Sequence, residues 1–451
     1  MKQDPNRIKY WFAIFFSILF LTGCGAAQHI DPGPQPDTRP KLYWSGRTIT
    51  GAESFSSKRI YCTGNISIES GGSLSLDYVT LYMSCESDAQ YGIFVNSGGT
   101  LIIIDNSIIT AHSTAEGYYQ FWFKSGSTGQ ITNSTVEGTW TPNPAGKSQF
   151  NEAGMFVEAN NFSTSGSTFQ NSKGNGIEAY WFNTFSATNS NFINNGANGL
   201  LIRNVDNFTV SGCNLSHNGI LTTRTDGCGL IFMVGTGTIT NNTINNNRFT
   251  GMEGSGAYNV AINTNQANNN GHFGIFLHDE FSSSYAEVYN NTCEANALSS
   301  TIHTGLSVEN AVAVYAHDNT FNGNYIGLRL LSNSLTTTIE GNIITNNITH
   351  GVHIDNSSPT FYRNTITGND KGVFIQDLHG TPNPNFGDTS ISRSGYNNLS
   401  SNTTNGIYNN TTQNIMAENN FWGYYSKGSI NGYNDDTSSR IDVIPFLTAV
   451  P

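Results

Sequence analysis

Six ionisable residues fall two or four positions after a recurring glycine: Glu253, His278, Glu309, Arg329, His353 and Asp355. A carboxylate such as Glu309 can give or take a proton, and an imidazole such as His278 or His353 can shuttle one near neutral pH. Arg329 can clamp the carboxylate of a sugar acid. A second set keeps the same phases: Phe156, Glu158, Glu178, Tyr180, Arg203 and Phe276, with Trp181 beside Tyr180. Its aromatic faces and polar edges suit a stacked sugar ring. Both sets work together only if the backbone lays residues one repeat apart side by side.

The repeat that could do so is explicit. Glycines stand at Gly154, Gly176, Gly199, Gly229, Gly251, Gly274, Gly305, Gly327, Gly351 and Gly372, at intervals of 22, 23, 30, 22, 23, 31, 22, 24 and 21. The first and third residues after each are nearly always apolar while the second and fourth vary, a period of two that predicts a strand with one buried face. A second alternating segment follows, as in Phe208-Thr209-Val210 and Val260-Ala261-Ile262. The third element is built on one apolar residue, as in Asn242-Thr243-Ile244 with Asn247 and Asn319-Thr320-Phe321 with Asn324. Three short strands per repeat, with Asn and Gly corners, predict an all-β solenoid of about a dozen coils, each burying its apolar residues only against its neighbours. Asparagines in one phase would stack about 4.8 Å apart and bond amide to amide. That reading of the Asn-x-Ser/Thr triplets is preferred to glycosylation.

The second and fourth residues then point outward as two ladders on one flat sheet. Insertions at Trp140–Phe150, Gly219–Gly227 and Ala297–Thr304 precede this strand and would wall one side of the ladders; Leu378–Asn398 follows it and would rise on the other. The groove between suits an extended sugar chain. The plainer alternative is that acids and bases alternate because opposite charges are favourable neighbours on an exposed sheet.

The ends divide the chain further. Lys2, Arg7 and Lys9 precede the apolar run Tyr10–Leu21 and then Leu21-Thr22-Gly23-Cys24. That pattern predicts a secretory signal over 1–23, too short to span a bilayer comfortably. Residues 24–45, with Pro32, Pro34, Pro36 and Pro40, form an extended tether; 46–425 form the solenoid and 426–451 a closing tail. The formal charge of -12 argues against a nucleic-acid partner and, without a basic patch or bound Ca²⁺, against a polyanion. No cofactor is evident from the residues, and Ca²⁺ is the one left open. Cys62 and Cys85 lie 23 apart, one coil period, so a disulfide between neighbouring coils is expected. Cys293 is expected as a core thiol, Cys213 and Cys228 flank an insertion, and no His and Cys spacing suggests zinc or another metal site.

On these motifs the chain resembles a right-handed parallel β-helix repeat protein of the pectin-lyase-like superfamily, over roughly residues 46 to 425. Leu21-Thr22-Gly23-Cys24 resembles a bacterial lipobox, which implies a lipoprotein cleaved before Cys24 and acylated on its thiol, with Gly25 resembling those sent to the outer membrane. The superfamily holds polysaccharide lyases, glycoside hydrolases, uronate epimerases, tailspikes and adhesins, so the resemblance fixes fold and leaves activity open. The Asn-x-Asp, Asp-Asp, Gly-His-Gly and Arg-x-Lys set of polygalacturonases and the Arg-x-Pro-x-x-Arg run of pectate lyases are absent. His278-Asp279-Glu280 only weakly resembles the Asp-Pro-His-Glu of uronate epimerases. A copper role, by analogy with β-helix proteins of nitrous-oxide-reductase maturation, finds no Met-rich site. The resulting expectation is a monomeric, lipid-anchored envelope protein that binds, and as a lyase or hydrolase would cleave, an extracellular polysaccharide. The alternative is a non-catalytic adhesin or spacer.

Overall fold

A computed structural model describes residues 37–142, 153–221, 227–296, 303–332 and 336–424, with 426, 429–430, 434 and 440–451. It is all-β, a parallel solenoid of about 14 turns. One early turn shows the plan: Gly92–Val95, Thr100–Ile104 and Ile108–Ala111 each pair, in parallel, with their counterparts in the turns on either side. The stacked strands make three sheets, numbered here in the order the chain visits them. In the first sheet the residues after the glycines align without slippage: Ile177, Leu200, Leu230, Met252, Ile275, Leu306, Leu328, Val352 and Val373 are successive partners. The unequal repeat intervals are therefore taken up in loops, and all nine of these side chains are wholly buried.

The three-strand plan loosens in the middle coils. Ile177–Thr188, Leu200–Ser211, Met252–Asn263, Ile275–Tyr289 and Thr304–His317 each run unbroken through the corner from first to second sheet. In four of these a single left-handed residue, Trp181, Asn204, Gly256 or Asn310, turns the chain at that corner without ending the strand. The third sheet thins to isolated bridges at Asn214, Thr243 and Gln266.

The recurring glycines are explained by space rather than by dihedral angle. A Cβ built on Gly305 would sit 2.7 Å from the Gly327 carbonyl oxygen and 2.9 Å from Asn324 Nδ2. Those Asn side chains form two buried columns along the solenoid. In one, Asn270 Nδ2 donates to Asn296 Oδ1 at 3.1 Å and to the Ile244 carbonyl at 2.9 Å, and Asn270 N donates to the same Oδ1 at 2.9 Å. The other runs from Asn242 through Asn265, Asn291 and Asn319 with the same geometry. Each amide thus satisfies corner backbone groups that no strand reaches.

The expected Cys62–Cys85 disulfide is not formed, and all five described cysteines are buried free thiols. The register gives the reason: Cys62 pairs with Met83, so Cys85 lies two residues beyond the facing position. Cys62 Sγ instead reaches the Gly64 carbonyl at 3.2 Å. Cys293 is a core thiol, its pKa driven well up by burial. Trp422 is wholly buried near the last turns. Cys24 and the rest of the leader lie outside the described residues.

Candidate functional site

The outer face of the first sheet divides into a closed half and a half-open one. In the earlier coils the expected groove is covered: Phe156, Glu178 and Leu201 are wholly buried, and Glu158 and Ile231 nearly so. Leu201, Ile231 and Cys228 form a small apolar cluster outside the main core, with Met233 and Phe249 against it. The ladder here is apolar enough to need a lid, and residues just before the following glycines supply one. Glu178 Oε1 is held by Arg203 at 2.8 Å, with side-chain exposures of 0 and 12%. The Arg203 guanidinium lies over the Tyr180 ring at 4.6 Å, and Tyr180 stacks on Phe156 at 6.0 Å. Glu158 accepts from Trp122 Nε1 at 3.0 Å. These residues hold one another. Trp181 is not part of this face; it stands 67% exposed at the corner toward the second sheet. Most of the three walling insertions falls in 143–152, 222–226 and 297–302, outside the described residues.

The later coils bring the other set together in pairs. His278 Nε2 lies 3.2 Å from Glu253 Oε1, and Cys228 Sγ lies 3.7 Å from the same carboxylate's Oε2. On the next rung Glu309 is the register partner of His278. Its Oε1 takes Arg329 at 2.5 Å and Ser307 Oγ at 3.1 Å. Both pairs are partly exposed. Two aromatic patches bracket the Glu309–Arg329 pair. On one side Phe276 stacks on Phe273 at 4.6 Å and on His278 at 4.4 Å. On the other, Phe374 packs with His350 at 4.8 Å and His353 at 5.2 Å.

Two members of the set take other roles than those expected. Asp355 is 1% exposed and accepts from Gln376 Nε2 at 3.0 Å, His379 N at 3.1 Å and His379 Nδ1 at 2.6 Å. It fastens the start of the 378–398 insertion. His353 does not titrate near neutral pH: burial, with the nearby His350 and Arg329 charges, pushes its pKa down to about 4. His350 and His303 are likewise lowered to about 4, chiefly by burial. That sets His353 apart from the shuttle role expected of it near neutral pH.

Sequence reasoning overlooked the row that edges this patch. Phe249, His272 and His303 each stand two residues before a glycine, and their rings follow one another at 4.2 and 4.1 Å. The shared phase was the available signal. A depression of about 590 Å³ near His112, Tyr118, Glu137 and Lys173 lies elsewhere on the molecule and touches none of this face.

Comparison with known proteins agrees with the fold. Residues 153–300 match the family model described as a right handed beta helix region, and residues 280–442 match that of the periplasmic copper-binding protein NosD. No curated protein matches. Among solved structures, the periplasmic alginate epimerase AlgG is 15% identical, covering 82% of this chain and 78% of that one, with a TM-score of 0.40. The Azotobacter vinelandii mannuronan C-5 epimerase AlgE4 A-module is 15% identical over 72% of this chain and 90% of that one, TM-score 0.44. The Streptococcus pneumoniae surface adhesin PfbA is 9% identical over 74% and 87%, TM-score 0.30. At such identities the likeness assigns no activity to this chain. Among the described residues no three His, Cys, Asp or Glu side chains gather to hold a metal. The stacked turns and the match to the right handed beta helix region together give the chain the fold of a right-handed parallel β-helix.

Proposed function

We propose that the outer face of the first sheet from Glu253 to Phe374 binds an extended extracellular polysaccharide, and that His278, oriented by Glu253, moves a proton on the bound chain. The observation that carries this reading is the Glu309–Arg329 pair flanked along the solenoid axis by two aromatic patches. Stacked rings bind the apolar faces of sugars, and the charged pair between them can meet hydroxyls or a uronate carboxylate. Each carboxylate of the set is paired with a basic side chain rather than facing a second carboxylate. That arrangement favours proton abstraction, as in a lyase, over hydrolysis by two facing carboxyl groups. The reading includes acylation of Cys24, which would keep the protein at the bacterial envelope.

Glycan arrays test the binding. Wild type is expected to be retained on at least one acidic or neutral polysaccharide, with affinity falling about tenfold or more in Phe276→Ala with Phe374→Ala. No retention, or retention indifferent to those changes, contradicts the reading. In fractionated bacterial cells expressing the full chain, Cys24→Ser should leave the membrane fraction. A non-catalytic spacer or adhesin is favoured by the closed, mutually paired early coils. It expects His278→Ala with Glu309→Gln to leave the retained glycan's chain length unchanged, where a lyase expects unsaturated product to disappear.

A further inference from the structure

We infer that the corner between the first and second sheets carries a separate binding site for a neutral sugar ring, built on Trp181. After seven of the repeat glycines the residue five positions on turns this corner in the left-handed region. Its φ is 57° at Trp181, 52° at Asn204, 58° at Val234, 77° at Gly256, 61° at Asn310, 51° at Ser332 and 50° at Asn356. That conformation suits Gly and Asn and resists bulky or β-branched side chains, for which it is a genuine outlier. Trp181 and Val234 break the pattern, and burial does not compensate them, since they are 67 and 43% exposed. Strain kept at an exposed position points to use of the side chain.

Both exceptions line the same depression, of about 500 Å³, together with Asn160, Asn183, Asn204 and Asp206. Asn204 stands between them in the corner column. An indole face for sugar C–H groups, ringed by amides and one carboxylate for hydroxyls, is the recognition chemistry of a pyranose. The charge makes it a neutral one. No Lys or Arg lines the depression. The nearest in sequence are turned away: Lys124 lies over the Trp122 and Phe94 rings at 5.2 and 5.6 Å, and Arg203 is held by Glu178 at 2.8 Å. Asp206 would repel a uronate or a phosphate. None of the first-sheet residues proposed above lines this depression, so the inference stands apart from that reading.

Calorimetric titration of the full chain with cellohexaose, maltohexaose, mannohexaose and galactohexaose, beside hexagalacturonate, tests it. At least one neutral hexasaccharide is expected to bind in a Trp181-dependent way, and any binding of hexagalacturonate is expected to be indifferent to Trp181. Trp181→Asn should weaken that binding about tenfold or more, while Tyr43→Ala, at an exposed third-sheet position, leaves it unchanged. Because Asn suits the corner, Trp181→Asn and Val234→Asn should hold or raise the melting temperature. Absence of binding by every neutral sugar, binding indifferent to Trp181→Asn, or a melting temperature lowered by that change would overturn the inference; the last would make the indole a packing group.

Discussion

Half-buried imidazoles gather beside the first-sheet face, and their partial burial has a consequence for stability. In the unfolded chain these rings titrate near about 6.5. In the fold His350 and His353 titrate near about 4, where desolvation, with Lys371 or Arg329 nearby, disfavours the charged form. As pH falls the unfolded state takes up protons first. The stabilisation is thus complete above the unfolded value, is lost on the way down to about 4, and changes no further below that. Each of the two rings should contribute about 1–2 kcal/mol across this window, allowing for its solvent-facing part. Denaturant midpoints measured from pH 7 to 4.5 should fall, and more gently in His350→Phe with His353→Gln; equal slopes in the two proteins would contradict the burial argument. At this scale the sequence told half the story. It placed His278, Glu253, Glu309 and Arg329 on one face by phase alone. Phase carries no information on depth, so it could not show that Asp355 is sunk beneath neighbours and His353 half-buried.

The asparagine columns hold the elements in register, and one residue tests their cohesion. Asn291 Oδ1 accepts from Asn265 N at 3.0 Å and Asn265 Nδ2 at 2.9 Å, while its own Nδ2 reaches Asn319 Oδ1 at 3.0 Å. Asn291→Ala would orphan buried donors on the preceding coil, at a cost of about 2–4 kcal/mol. Asn322→Ala, on the partly exposed strand side with contacts to Thr345 and Asn346, should cost under about 1 kcal/mol. Equal urea midpoints for the two variants would show that the column is not what holds the corner. These columns were legible from Asn242, Asn319 and Asn364 recurring in one phase. The Cys62–Cys85 disulfide was misread for a related reason. A nominal period of 23 was applied where the register advances by 21, from Cys62 to Met83, and two residues along a strand move a thiol out of bridging reach.

At the scale of the solenoid, two amide columns tie the coils together between Asn195 and Asn420, and binding surfaces are set by what each coil turns outward. The strand phase made the stacking readable from ten glycines. The division of its first-sheet face into a covered early half and a half-open later half was not readable, because the cover comes from residues such as Cys228 and Phe249 in the irregular segments between strands. Hydroxyl-radical footprinting with a retained polysaccharide asks directly which half is used. The account predicts that Phe276, His278 and Phe374 lose reactivity when the glycan binds while Tyr43, Tyr61 and Tyr82 on the third sheet keep theirs. Protection of the third-sheet tyrosines, with Phe276, His278 and Phe374 unchanged, would contradict it.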